Sequence, residues 1–548
     1  MLHLDHLHIA FGDQTVVQDV SFSLRAGERL GIVGESGSGK SITALSIMGL
    51  LPPSARITDG HIALERGEQV EELTSLSEKK YRTVRGRRIG MVFQEPMRAL
   101  NPVMRCGEQV AEAIRLHHPG SAAEVDQRTL YWMDKVGLTD LDRMQRAYPH
   151  QLSGGQKQRI MLAMALCGSP DILIADEPTT ALDLRIQQRI LALLQNLTEE
   201  LKLALLFISH DLGVIRQLTD RVLVMQKGKV VDSGSTQALF QHPQSPYTRG
   251  LLACRPPLDR RVHRLPTIAD FEKDPMFSPR LAVPPSRAVD GQKPILSARG
   301  IRVYFPGQRT LLGASRPVVK AVDGVDLDLM PGETMGLVGE SGSGKTTLGR
   351  CLIGLQEPTS GTRLFHGRKL SRHQLRQPGV RRKLQIIFQD PYSALNPRLT
   401  IGQAMQGALM IGGNRASRRD RAVHLLEQVG LGADHLSRYP HQFSGGQRQR
   451  ICIARALAAE PELLVCDEAV SALDVSVQAQ VLNVLKDLQE THQLTLLFIS
   501  HDLSVVRFMC DRVAVMRAGK IVEQADADTL FRAPTDTYTQ ELLSAVPA

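Results

Sequence analysis

Two stretches of this 548-residue sequence could hold a chain of phosphates. They are Gly34-Glu35-Ser36-Gly37-Ser38-Gly39-Lys40-Ser41 and Gly339-Glu340-Ser341-Gly342-Ser343-Gly344-Lys345-Thr346. Glycines let successive backbone N–H groups converge on an anion at the positive end of a following helix. The spacing then brings Lys40 and Lys345 to the outer phosphates, and the hydroxyls of Ser41 and Thr346 to Mg²⁺. Further along, the apolar runs Ile172–Ala175 and Leu463–Cys466 end in Asp176-Glu177 and Asp467-Glu468. An aspartate at a strand end can hold Mg²⁺ through water, and the neighbouring glutamate can orient and polarise an attacking water. An isolated Asp-Glu pair more often only caps a strand. The glycine loop earlier in each half selects the hydrolytic reading.

These groups recur in one order. Between loop and carboxylates lie Gln94, with Leu152-Ser153-Gly154-Gly155-Gln156, and Gln389, with Phe443-Ser444-Gly445-Gly446-Gln447. After the carboxylates come Asp183 and His210, then Asp474 and His501. A repeated order means one architecture duplicated. In each half a period-two strand comes first: Val20, Phe22 and Leu24 alternate with serines, and Val325, Leu327 and Leu329 with aspartates. A short apolar strand then leads into the glycine loop, and a helical stretch follows. Ser153 and Ser444 are expected to begin helices, whose exposed N–H groups again suit an anion. Leu203–Ser209 and Thr495–Ser500 read as buried parallel strands ahead of the two histidines. Lysine to glutamine is longer in the first half (94 − 40 = 54 against 389 − 345 = 44), so ten extra residues are expected in a charged surface insertion around Glu65–Lys80.

Composition fits two globular domains and a connector: 42% hydrophobic and 22% charged residues, too long for one core. No run approaches the length of apolar residues a membrane-spanning helix needs, and no secretory signal is expected at Met1–Asp5. Seven scattered cysteines without a Cys-x-x-Cys pair argue for a reducing compartment and against a zinc site. The net charge of +9 has no basic tract with interleaved aromatics, so no nucleic-acid partner is expected. His3, His6 and His8 lack supporting cysteines or carboxylates and read as part of a strand. Residues 241–294 hold ten of the 29 prolines and read as an extended linker. It opens with the run Gln241–Leu252, around Tyr247-Thr248, which Ala533–Leu543, around Tyr538-Thr539, echoes near the C-terminus, so the repeated unit includes its own tail.

The duplicated motifs resemble two fused nucleotide-binding subunits of an ATP-binding cassette (ABC) transporter over nearly the whole length. The resemblance implies an α/β fold: two tandem phosphate-loop domains, each with a RecA-like parallel core, an antiparallel β subdomain and a helical subdomain. The implied boundaries are 1–240 for the first cassette, 241–294 for its proline-rich tail, 295–531 for the second cassette and 532–548 for the C-terminal tail. In the family the Ser-Gly-Gly-Gln residues contact the γ-phosphate of the nucleotide on the opposite cassette. That implies two composite sites, with Lys40, Asp176, Glu177 and His210 facing Ser444, and Lys345, Asp467, Glu468 and His501 facing Ser153. Gln94 and Gln389 would touch Mg²⁺ and the attacking water. His210 and His501 would sense the γ-phosphate, though histidines there could equally be helix caps. Asp183 and Asp474 belong to the same nucleotide sites, and Phe11 and Phe305 would stack on adenine unless they pack into a core. Leu152 becomes Phe443, and Pro178 becomes Ala469, without loss of a functional group, so two active sites are expected, with rates free to differ.

Phe93-Gln94-Glu95-Pro96, Phe388-Gln389-Asp390-Pro391 and the two tails are similar to the peptide and nickel importer group. That implies ATP and Mg²⁺ as cofactors, two integral-membrane permease subunits as partners and an extracytoplasmic binding protein delivering substrate. The place implied is the cytoplasmic face of a bacterial inner membrane. Some members hold an iron–sulfur cluster in the tail; here only Cys254 is available, so none is expected. Oligopeptides or dipeptides lead the substrate list, with glutathione and nickel chelates open. A tandem-cassette translation factor acting on the ribosome and an exporter motor remain as alternatives. The first usually has a long charged helical linker, where this chain has prolines.

Overall fold

The computed structural model describes residues 1–67, 69–94, 99–179, 184–281, 292–306, 318–409, 415–471 and 473–544. Two compact units emerge: Met1–Leu252 with Ile268–Pro275, and Ala253–Thr267 with Met276 onward. Among the described residues, the first unit contains strands β1 (Leu2–Phe11), β2 (Gln14–Leu24), β3 (Arg29–Val33), β4 (Ala55–Arg66), β5 (Gln69–Glu72), β6 (Ile89–Val92), β7 (Ile172–Asp176), β8 (Ala204–Ile208), β9 (Arg221–Gln226) and β10 (Lys229–Ser235). They form an antiparallel sheet ordered β2-β1-β4-β5 and a second sheet ordered β10-β9-β3-β8-β7-β6, parallel except for the β9–β10 pair. The second unit repeats the plan with β11 (Leu296–Phe305), β12 (Val319–Leu329), β13 (Thr334–Val338), β14 (Ser360–Phe365), β15 (Arg368–Lys369), β16 (Leu384–Ile387), β17 (Leu463–Asp467), β18 (Thr495–Ile499), β19 (Arg512–Arg517) and β20 (Lys520–Asp526). Its sheets run β12-β11-β14-β15 and β16-β17-β18-β13-β19-β20.

The unbroken apolar runs follow from burial on both faces of the parallel sheet. In the first unit Leu173, Ala175, Leu205 and Phe207 face a core shared with the helices Cys106–His117 and Gly154–Leu166. Their neighbours Ile172, Ile174, Leu206 and Ile208 face the opposite core, shared with the antiparallel sheet. The alternating strand β2 buries Val20, Phe22 and Leu24 and exposes Ser21. Strand β12 buries Val325, Leu327 and Leu329 in the same way. Among the described residues, no helix is long and apolar enough to cross a membrane.

Two expectations change. Gly60 and Gly361 occupy matching places, each in the left-handed region and each close against the backbone of the neighbouring strand, at His6 and at Gly300. Measured from the loop lysines (60 − 40 = 20; 361 − 345 = 16), four of the ten extra residues precede that glycine. Only the remainder falls after it, between Gly60 and β6. The second change concerns the connector, which is not an extended tether over its described length. It forms the helices Pro246–Ala253 and Ile268–Lys273 and buries Tyr247, Leu251, Cys254, Val262, Leu265 and Phe271. Proline density marked where regular strands stop, but not how much apolar surface the stretch could still bury.

Within the second unit, Asn483 clamps the connector. Leu265 N–H donates to Asn483 Oδ1 at 2.9 Å, and Asn483 Nδ2 donates to Leu265 carbonyl oxygen at 2.8 Å, with Asn483 2% exposed. Asn483→Leu leaves both backbone groups buried without partners. Each such loss costs about 1–3 kcal/mol. Denaturant unfolding of the full chain should therefore show the second unit's transition destabilised by about 2–6 kcal/mol.

Candidate functional site

Strands β3, β8, β7 and β6 are neighbours in the parallel sheet, and each delivers a site residue from its C-terminal end. Ligands of open α/β sheets bind outside that edge. The loop after β3 carries Gly34 to Gly39, and its helix begins at Lys40 (Lys40–Ile47). Gly34 has φ 150° and Gly39 φ 102°. A Cβ on Gly34 would lie 2.1 Å from the Met225 carbonyl oxygen, so the turn needs glycine for space as well as conformation. The second loop repeats this: a Cβ on Gly339 would meet Met516 carbonyl oxygen at 2.1 Å. Lys40 Nζ donates to the carbonyl oxygens of Gly34 and Glu35, both at 2.8 Å, and to Ser38 Oγ at 3.4 Å. Lys345 Nζ reaches Gly339, Glu340 and Ser343 at 2.8, 2.7 and 3.4 Å. Both lysines are buried. The remaining loop residues Ser36, Gly37, Ser341 and Gly342 form the exposed rim, and Gly344 opens the helix Lys345–Leu352.

At the strand ends the carboxylates separate into two roles. Ser41 Oγ donates to Asp176 Oδ1 at 3.1 Å, and Thr346 Oγ1 to Asp467 Oδ1 at 2.7 Å. Burial pushes the Asp176 carboxyl up to about 6, against the Ser41 hydrogen bond that lowers it, and pushes Asp467 upward too. The next residue turns away. Glu177 (φ 48°) and Glu468 (φ 47°) are non-glycine residues in the left-handed region, each tied by its N–H to β8 or β18. Such backbone is costly and concentrates at functional sites. Gln94 Nε2 donates to Glu177 Oε2 at 2.9 Å, and Gln389 Nε2 to Glu468 Oε2 at 2.8 Å. His210 Nδ1 lies 3.1 Å from Glu177, and His501 Nδ1 3.6 Å from Glu468. The His501 hydrogen bond draws Glu468 down against its burial, and Glu468 in turn raises His501. The capping alternative for these histidines fails, because Asp211 and Asp502 cap the helices that follow.

Ser153 and Ser444 do cap the helices Gly154–Leu166 and Gly445–Leu457. Each hydroxyl accepts the N–H three residues on, from Gln156 or Gln447, at 3.3 Å, and those glutamine side chains accept the serine N–H in return. Both serines are exposed, while Gly155 and Gly446 are buried against Ile186 and Val477. Phe11 and Phe305 end β1 and β11; neither is buried, and Phe305 is 40% exposed, so the core-packing alternative is disfavoured. Asp474 precedes the helix Val475–His492, whereas Asp183 lies outside the described residues. Of the two departures between halves, Leu152 and Phe443 are both buried, as are Pro178 and Ala469. One difference carried no motif signal: Arg350, on the helix after the second loop, approaches Asp467 at 3.7 Å, and the first unit has Leu45 at the matching place on its helix. The three early histidines lie on β1, where His3 meets Glu65 and His6 meets Asp19. The tail tyrosines, which no motif marked as site residues, reach the glycine loops: Glu35 N–H donates to Tyr247 Oη, and Glu340 N–H to Tyr538 Oη. Only the echo of the two tails hinted at them.

The ABC transporter family model matches residues 17–180 and 322–471. A second model, the oligopeptide/dipeptide transporter C-terminal region, matches 231–279 and 522–548. The chain is 45% identical over 564 aligned residues to the glutathione import ATP-binding protein GsiA of Escherichia coli O6:H1 (strain CFT073), covering 100% of this chain and 89% of that protein. It is 46% identical over 562 residues to the protein of the same name from Salmonella typhimurium (strain LT2), with the same coverage. A solved dimeric cassette, MJ0796 bound to ADP and Pi, is 27% identical over 42% of this chain and 98% of that chain, with a TM-score of 0.38.

Proposed function

We propose that this chain, which belongs to the ABC transporter family of ATP-binding proteins and is an ATPase built of two tandem cassettes, drives import of small peptides such as glutathione through a membrane permease. The observation that carries the reading is the oligopeptide/dipeptide tail occurring after each cassette, at 231–279 and 522–548. Full-length similarity to proteins named for glutathione import supports the same substrate class. The partners proposed are two integral-membrane permease subunits and an extracytoplasmic binding protein. This chain would then sit at the cytoplasmic face of the inner membrane. The proposed division of labour runs 1–240 and 295–531 for the cassettes, with 241–294 and 532–548 as their tails.

The roles of the site residues are part of this proposal. The glycine-loop N–H groups and the lysine amines hold the phosphate chain, and Phe11 and Phe305 stack on the base. The donors at Ser41 and Asp176, and at Thr346 and Asp467, are oxygens only, a hydroxyl facing a carboxylate, which suits a hard cation. Mg²⁺ held there, with Gln94 or Gln389 in attendance, would neutralise charge on the phosphates. Glu177 and Glu468 polarise the attacking water and take its proton, and His210 and His501 set the orientation of those carboxylates. Ser153 and Ser444, exposed at helix N-termini, are proposed to complete the site of the other cassette through their Ser-Gly-Gly-Gln runs. ATP binding would thereby favour closure, and hydrolysis would release it.

Gentle detergent extraction of the tagged chain from its native membranes checks the assignment. Two multi-spanning permeases should copurify. Ribosomal particles in their place, with the chain absent from membranes, would sink the import reading and leave only the ATPase.

A further inference from the structure

Each cassette's tail is wired to its own phosphate loop, through the same succession of bonds built from different residues. In the first unit the Asp232 carboxylate on β10 accepts the N–H groups of Gln244 and Ser245, both at 3.0 Å. Ser245 Oγ accepts Tyr247 N–H at 3.2 Å, and Tyr247 Oη accepts Glu35 N–H at 3.2 Å. In the second unit the Glu523 carboxylate on β20 accepts the N–H groups of Thr535 and Asp536, at 2.8 and 3.1 Å. Asp536 Oδ1 accepts Tyr538 N–H at 2.8 Å, and Tyr538 Oη accepts Glu340 N–H at 3.1 Å. The tyrosines are 2% and 1% exposed. Asp replaces Glu and Ser replaces Asp between the halves, yet the geometry is kept.

The bonded residue matters. Glu35 gives its N–H to the tyrosine and its carbonyl oxygen to Lys40 Nζ, and Glu340 does the same between Tyr538 and Lys345. One residue of the loop is therefore fixed from both sides, by the tail and by the lysine that neutralises phosphate. Without the hydroxyl, this half-buried N–H loses its bond from the tail, and the segment carrying the lysine's acceptors is held less firmly. The water-activating carboxylates hang from other strands and are untouched.

We infer that Tyr247 and Tyr538 are positioning residues for nucleotide binding: each tail sets the conformation of its cassette's phosphate loop through one tyrosine hydroxyl. The inference rests on the ATPase reading above, and it assigns to the tails a role in nucleotide affinity.

The test uses the full chain, MgATP and a fluorescent ATP analogue. Loss of one neutral hydrogen bond of this kind corresponds to a change of roughly threefold to tenfold. Tyr247→Phe combined with Tyr538→Phe should raise KM for ATP by about that factor, with kcat within about twofold. Each single variant should show one weakened and one unchanged binding site. Ser245→Ala and Asp536→Ala, which cut the preceding link, should shift affinity in the same direction by less. Phenylalanine variants that bind ATP as the wild type does, even if they melt earlier, overturn the inference and leave the ATPase standing. A wild-type chain that binds no ATP overturns both.

Discussion

Glu177→Gln and Glu468→Gln should each reduce ATP turnover of the full chain at least about tenfold, and together to near the background rate. A positioned general base is worth roughly 10²–10⁴ at its own site. Glutamine keeps the size of the side chain and can still meet Gln94 at one oxygen, but it cannot take a proton from water. It also removes the negative charge that lies 3.1 Å from His210. Independent sites would leave each single variant with half the wild-type rate, because the other site would run on. A drop well below half therefore reports coupling between the cassettes as well as the chemistry. Phosphate release under saturating MgATP gives the rates, and retained binding of the fluorescent analogue shows that the loss lies in the chemical step. A single variant with full activity would mark its site as silent.

Lys40→Ala and Lys345→Ala should act on binding instead. The amine is the buried cation of each loop, making two hydrogen bonds to backbone carbonyl oxygens and a longer one to a serine. Its loss removes the charge proposed to face the phosphates and takes one donor from each of those carbonyls. A charge-assisted contact of this kind, at about 1.5–3 kcal/mol or more, corresponds to roughly tenfold to a few hundredfold in affinity. Titration with the ATP analogue should show that site weakened by about a hundredfold. The second site also has Arg350, on the helix that follows the loop, near its aspartate, 48% exposed at the side chain. Two lysine variants with different residual affinities would express that asymmetry.

Much of the site was legible because its motifs are local. Ser153 and Gln156, or Ser444 and Gln447, stand three residues apart, so the reciprocal cap follows from helix geometry. The unbroken runs Ile172–Ala175 and Leu463–Cys466 announced strands buried on both faces. Glycines at fixed intervals before a lysine admit few other conformations. Three features were not local. The left-handed backbone at Glu177 and Glu468 runs against the preference of any non-glycine residue, and long-range N–H bonds to Ile208 and Ile499 help hold it there. The histidines sit where a cap could lie, and it is Asp211 and Asp502 that fill that role. The connector's prolines suggested an extended chain, yet Val262, Leu265 and Phe271 are buried.

The sequence by itself determined the duplication, the order of the motifs along the chain, and the residue types proposed for each phosphate and water position. These depend on bonds within a few residues, or on which side chains can do the chemistry at all. Only the tertiary structure decided that Tyr247 meets a residue 212 positions away and that Asn483 grips Leu265 across 218. Such contacts carry no periodicity in the chain. They form because the folded path brings a hydrogen-bonding side chain to a backbone group that folding has drawn away from water.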